Sequence, residues 1–178
     1  MTKKEALNKL KEKHLEMMAI LYPSFPKHAI PMPNEFSRAG TTNGLTQCII
    51  TYCNLKGWQA ERISSSGRVI QNKKVIQTGF FGAKTVGANK YIPGTSQKGT
   101  ADISATINGQ AVKIEVKNKN TKDRMSDDQK RYQENVEFSG AIYYIAKTLQ
   151  DVIEFLDTFP DNPKKIEYWK WKKERSTS

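Results

Sequence analysis

Residues 101–117, ADISATINGQAVKIEVK, constrain the fold more tightly than any other stretch of the chain. Two alternating apolar and polar runs flank Asn108-Gly109, a pair favoured in two-residue type I′ turns, where both central residues take positive φ. The spacing predicts a tight antiparallel hairpin. With those two residues as the turn, Ile107 faces Gln110, Asp102 faces Glu115 and Thr100 faces Lys117. Alternation then sends Ile103, Ala105, Ile107, Val112, Ile114 and Val116 to a core face, and Asp102, Glu115 and Lys117 to the other. Directly opposed side chains have Cβ atoms about 4.5–5.5 Å apart, and like charges there repel unless something compensates. A divalent cation with oxygen ligands would compensate two carboxylates, with Mg²⁺ the natural choice and Mn²⁺ a substitute. Lys117, two residues beyond Glu115, is then placed to orient or deprotonate a water, or to stabilise charge growing on a phosphate. The plainer alternative is a solvated Asp–Glu–Lys cluster in which Lys117 only neutralises its neighbours. Glu-x-Lys alone is weak evidence; its opposition to Asp102 makes the pattern more specific.

The flanking sequence supplies the other elements of an α/β fold. Residues 3–21 have the periodicity of an amphipathic helix, and four prolines between 23 and 38 predict a linker or wrapping arm without regular structure. A helix capped by Thr41 or Thr42 should end before Gly57, with Leu45, Cys48, Ile49 and Tyr52 as its buried stripe. A strand over 58–63 follows, then an insert at 64–98 whose strand-like patches suggest a flap or hairpin over a substrate. Ser126 opens a helix reaching about residue 138, residues 140–146 (GAIYYIA) suit a buried strand, and Thr148 caps a last helix. A right-handed parallel crossover from the hairpin to that strand makes the sheet mixed, with helices on its faces. The expected organisation is an N-terminal helix and Pro-rich arm (1–40), a core domain (41–160) and a basic aromatic tail (161–178), read as a short strand or a fraying helix. Gln129 has two readings of similar weight: the polar end of a capping box with Ser126, or a side chain on the helix face toward the sheet whose amide reaches the lysine or the attacked phosphate.

Charge narrows the partner. The formal net charge is +11, and Arg62, Arg68, Lys73, Lys74, Lys84, Lys90 and Lys98 occupy a stretch without a single Asp or Glu. Glycines and aromatics interleave with these cations, as on surfaces that track a nucleic-acid backbone; the alternative is a solvated loop that only aids solubility. Two histidines and two cysteines leave little material for a zinc site or a serine-protease triad, and the cysteines read as buried thiols. No apolar run approaches membrane-spanning length and the N-terminus lacks a signal-peptide pattern, so a cytoplasmic protein is expected.

Gly99-Thr100-Ala101-Asp102, Ile114-Glu115-Val116-Lys117 and Ser126-Asp127-Asp128-Gln129-Lys130 together resemble the VRR-NUC branch of the PD-(D/E)XK nucleases. The resemblance extends to Asn43-Gly44-Leu45-Thr46-Gln47 and to residues 57–63, and covers roughly residues 41–158. It implies a restriction-endonuclease-like core (αβββαβ) and metal-dependent hydrolysis of DNA, with branched DNA as one substrate class and a homodimer as one assembly. It also implies metal ligation by Asp102, Glu115 and the Val116 carbonyl, with Lys117 and Gln129 serving the water or the phosphate. Two departures stand out. Ala101 replaces the proline of the family name, and Asn43 and Gln47 stand where the first helix often carries a glutamate. The second departure predicts one tightly held metal rather than two, and keeps open a catalytically weak or inactive DNA-binding module.

Overall fold

In the computed structural model, which describes residues 1–63, 68–77, 82–92, 97–117, 119 and 124–176, helices cover both faces of a four-stranded mixed sheet. Helix α1 (Lys3–Leu21) starts at Thr2 through a reciprocal capping box with Glu5. The Pro-rich segment is more regular than expected, with a 3-10 turn at Lys27–Ala29 and a short helix α2 (Asn34–Ser37). Pro26 and Pro33 stand at their N-caps, where a missing N–H costs nothing, so these prolines start helical turns instead of preventing them. Helix α3 (Thr42–Leu55) is capped by Thr41, whose Oγ1 accepts from the Gly44 amide at 3.0 Å.

Strand β1 (Gln59–Arg62) leads into the insert, which holds β2 (Arg68–Gln71), β3 (Lys74–Gln77), β4 (Ala83–Val86) and β5 (Asn89–Ile92). β2 pairs with β5 and β3 with β4, both antiparallel, separate from the main sheet. The core resumes with β6 (Ile103–Ile107) and β7 (Gln110–Val116), then α4 (Asp127–Phe138), β8 (Ile142–Ala146) and α5 (Leu149–Leu156). The tail forms a further helix, α6 (Lys165–Ser176), so α5 is not the last helix of the chain.

The sheet order is β1-β6-β7-β8, with β7 and β8 parallel and the other two pairs antiparallel. One face, carrying Ile103, Ala105, Ile107, Val112 and Ile114, packs into the main core with buried residues of α1, α3 and α5. The opposite face lies under α4, where Ala101, Val136 and Tyr143 are buried with Met125, Tyr132 and Ile145 against them. Both termini join the body of the protein. Ala6 and Leu10 of α1 are fully buried, and Trp169 of α6 is buried with its Nε1 donating to the Asn54 carbonyl at 2.9 Å.

The end of α3 is fastened to the end of α5 by a buried cation. Lys56 is 3% exposed, and its Nζ donates to the carbonyls of Leu156 (3.2 Å) and Phe159 (2.9 Å) and to Asp157 Oδ1 (3.2 Å). It also lies 4.7 Å from the Trp58 ring centroid. Removing a charge from water costs several kcal/mol unless it is paired and hydrogen-bonded, which is what this arrangement provides.

Candidate active site

The turn geometry sets the site. Asn108 and Gly109 take φ of 49° and 86°, and β6 pairs with β7 from Ile107↔Gln110 to Ile103↔Ile114, the register expected from a two-residue turn. The ladder stops at Ile103↔Ile114, so the expected oppositions of Asp102 to Glu115 and of Thr100 to Lys117 are not ladder pairs. In a continuing ladder the Val116 N–H would bond a main-chain carbonyl; here it donates to Asp102 Oδ2 at 2.9 Å. The Asp102 carboxylate thus terminates the ladder, and its orientation is fixed by the backbone beside Glu115. The Asp102 carbonyl accepts from the Ile63 amide at 2.8 Å, holding its main chain on β1. Thr100 does not continue the pairing toward Lys117. Its amide turns back to the Gln97 carbonyl, and the Lys117 amide bonds Ala146 of β8.

Glu115 is 3% exposed. Its Oε1 lies 3.3 Å from Lys117 Nζ and accepts a hydrogen bond from Gln129 Nε2. Those two donors offset the cost of burying the carboxylate under α4. Gln129 forms the capping box and also turns its side-chain NH2 to the sheet. Its Oε1 accepts from the Ser126 amide at 3.0 Å and its own amide donates to Ser126 Oγ at 3.3 Å, while Nε2 serves Glu115. The side chain therefore reaches a carboxylate, where the sequence pointed to the lysine or the phosphate. Gly99 adds a further tie, because a Cβ there would come within 2.3 Å of the Asp128 carbonyl oxygen, so the turn that precedes the hairpin presses against the first turn of α4.

Tyr143 escaped the sequence reading. It pairs with Lys113 across the parallel ladder, placing it on the face of Glu115, and it is buried under α4. Burial, then the negative charge of Glu115 and Asp102, holds its hydroxyl well above the ordinary tyrosine range, so it stays protonated at neutral pH. Parallel pairing with 112–116 puts alternate residues of the GAIYYIA run on the carboxylate face, and the register with β7 selects Tyr143 over Tyr144. On the same row Lys113 Nζ donates to Ser104 Oγ at 2.6 Å.

The structure brings together Asp102, Glu115, Val116, Lys117 and Gln129. Asn43 and Gln47 are exposed, and Asn43 Oδ1 accepts from Arg62 Nη1 at 2.7 Å. Arg62 pairs with Ile103, so it belongs to the sheet face that packs on α3 rather than to the carboxylate face. Lys73, Lys74, Lys84, Lys90 and Lys98 are all exposed, and Arg68 is placed by its backbone pairing with Ile92, its side chain lying outside the described residues.

The donor set suits a hard cation. Among the described residues no group of three or more His, Cys, Asp and Glu side chains is arranged to hold a metal, so a cation here would have two carboxylates at most from those side chains. Mg²⁺ is commonly held by one or two carboxylates, with waters and phosphate oxygens completing its shell, and the residues present fit that requirement. Among the described residues no helix is long and apolar enough to cross a membrane. No family model, curated protein or solved structure matches the chain.

Proposed function

We propose that this chain is a Mg²⁺-dependent DNA endonuclease that hydrolyses phosphodiester bonds, with a core of the PD-(D/E)XK type. The observation that carries this reading is a ladder-ending Asp102, bonded to the Val116 amide, beside a buried Glu115 that is itself held by Lys117 and Gln129. The order α3-β1-β6-β7-α4-β8 and the sheet order β1-β6-β7-β8 support it, since they follow the αβββαβ plan that the resemblance implies.

Asp102, Glu115 and the Val116 carbonyl would hold the cation. When bound, it would supply positive charge against the phosphate and acidify a water. The protein's own groups do the remaining work. The Val116 amide keeps Asp102 in one orientation, Gln129 fixes Glu115 from α4, and Lys117 brings an ammonium to the place where negative charge grows on the phosphate. Preorganised groups of this kind contribute because they need not rearrange as the reaction proceeds.

A second reading, a DNA-binding module with weak or no activity, is favoured by one observation: α3 offers Asn43 and Gln47, which lack carboxylates. One experiment separates the two. Supercoiled and branched DNA are incubated with the protein and Mg²⁺ or Mn²⁺, using Asp102→Ala and Glu115→Ala as comparisons. The nuclease reading expects cleavage by the parent and a loss of at least about a hundredfold in either variant, as for removal of a principal charge-stabilising group. Equal cleavage by parent and variants, or none by the parent with either metal, overturns it.

A further inference from the structure

The insert carries an inference that rests on the DNA substrate proposed above but not on the catalytic site. Pairs in β2/β5 run from Arg68↔Ile92 to Gln71↔Asn89, and pairs in β3/β4 from Lys74↔Val86 to Gln77↔Ala83. Both sets are centred on the same residue number, 80, and two residues on each strand separate them. The four strands are therefore two halves of one antiparallel ribbon in a single register, interrupted where Gly87, at φ 101°, passes close to the Asn72 carbonyl.

Alternation gives this ribbon two chemically different faces. Lys74, Lys84 and Lys90 fall on one, interleaved with Ile70, Ile76 and Val86. Among the paired residues the other carries Val69, Gln71, Val75, Thr85, Asn89 and Tyr91 and no charge, while Lys73 stands in the unpaired link between β2 and β3. Neither face is covered: Val75 is 70% exposed, Tyr91 62% and Ile76 48%. A two-stranded ribbon without a core is marginal by itself, so a bound partner would contribute to its order.

We infer that the lysine face of this ribbon seats in a groove of double-stranded DNA. Three features select that occupant. No acidic residue lies between Ile63 and Ala101 while six basic residues do, so a second copy of the ribbon would meet it with like charge. A major groove admits a two-stranded β-ribbon. Single-strand binders stack bases on aromatic rings, yet Tyr91, the aromatic residue of the described ribbon, lies on the face away from the lysines.

The test measures binding of the full-length protein to a labelled linear duplex and to one of its single strands, by fluorescence anisotropy at several salt concentrations in EDTA. Without metal no cleavage intervenes. Lys74→Gln/Lys84→Gln/Lys90→Gln is expected to weaken duplex binding and to reduce the slope of log K against log salt by about 2.7, three phosphate contacts at about 0.9 each. The uncharged-face variant Val75→Gln/Tyr91→Gln should leave the slope unchanged and affinity within about twofold, well under the loss expected from even one base-stacking aromatic. The duplex should bind more tightly than the single strand. An unaltered slope in the lysine variant, an equal loss in the uncharged-face variant, or tighter single-strand binding each overturns the inference. Failure of the nuclease reading would look different, because Asp102→Ala would then leave cleavage unaffected whatever the ribbon variants do to binding.

Discussion

Replacing Gln129 by alanine removes two hydrogen bonds of unequal worth. The bond from the Ser126 amide to Gln129 Oε1 lies at an exposed helix start, and losing that half of the capping box costs about 0.5–1 kcal/mol. The bond from Nε2 to Glu115 Oε1 serves a carboxylate whose side chain is 4% exposed. Hydrogen bonds to charged groups contribute about 1.5–3 kcal/mol, and losing one partner of a buried ion costs more than the pair's net worth. Lys117 still faces Glu115 at 3.3 Å, which keeps the second loss toward the lower end. The total is about 2–3 kcal/mol. Ser126→Ala supplies the control, since it breaks the return bond at 3.3 Å and leaves the Glu115 contact in place, for about 1 kcal/mol. Urea unfolding at pH 7 without metal reads both, and a chain of this size loses about 2–4 °C of Tm per kcal/mol as a second readout. Gln129→Ala should be the less stable by at least about 1 kcal/mol with unchanged m-values, the margin set by a charge-assisted bond. Equal destabilisation in the two variants would refute the claim that the helix cap also holds the buried carboxylate.

Acid should weaken the protein through the cluster around Lys56. Burial alone would raise Asp157, but hydrogen bonds from Lys9, Tyr52 and Lys56 outweigh it and hold its carboxyl below the usual range; Asp161 behaves likewise through Lys165 and Lys13. A folded pKa below the unfolded one adds stability above the ordinary carboxylate value of about 4, and that stability disappears as pH falls through the folded pKa values. Urea midpoints from pH 7 to pH 2.5 should show the decline, and Asp157→Asn should flatten it. Gly44→Ala should destabilise by about 3 kcal/mol or more, the upper range for overpacking, because its Cβ would stand 1.9 Å from the Arg38 carbonyl oxygen. Gly109→Ala meets open space and should cost only the left-handed backbone penalty of about 1–2 kcal/mol, a contrast that thermal melts can read. Burial pushes the thiols of Cys48 and Cys53 up to about 12, so neither should react with iodoacetamide in the folded protein at pH 8, and both should react in urea. Rapid labelling of the folded chain, read by mass spectrometry, would contradict the buried placement of α3.

The hairpin was legible because its determinants are local. Asn108-Gly109 prescribes the turn, and the alternation of Ile103 to Val116 prescribes which face is buried, so register and core face follow from a few neighbouring residues. The helices starting at Thr41, Ser126 and Thr148 were legible for the same reason, since each has a local hydroxyl cap, followed by an apolar periodicity after Thr41 and Thr148 and matched by a capping-box glutamine after Ser126. The illegible features depend on competition between groups. Nothing local says that the Asp102 side chain takes the Val116 amide in place of a main-chain carbonyl. Nothing in GAIYYIA says that Tyr143 faces two carboxylates until its parallel register with β7 is known. The ribbon was only half visible because neither of its faces is buried, and without a buried face there is no hydrophobic pattern to fix where strands begin and end.

The ambiguity at Gln129 has a physical origin. A capping glutamine needs only its carbonyl oxygen for the N-cap amide, which leaves the NH2 group with two donors to place. Where nothing but solvent lies beside a helix start, those donors go to water. Here α4 begins directly above the carboxylate face, with Gly99 packed against its first turn, and the same side chain spans the distance from cap to Glu115. A capping sequence therefore predicts the helix start but not where the spare donors point; tertiary placement decides that. Gln129→Glu tests the distinction, because glutamate preserves the capping acceptor and lacks the NH2. The helix start should survive, seen as unchanged far-UV circular dichroism, while a second carboxylate against Glu115 lowers stability at pH 7. A variant as stable as the parent at pH 7 would show that the two side chains do not meet.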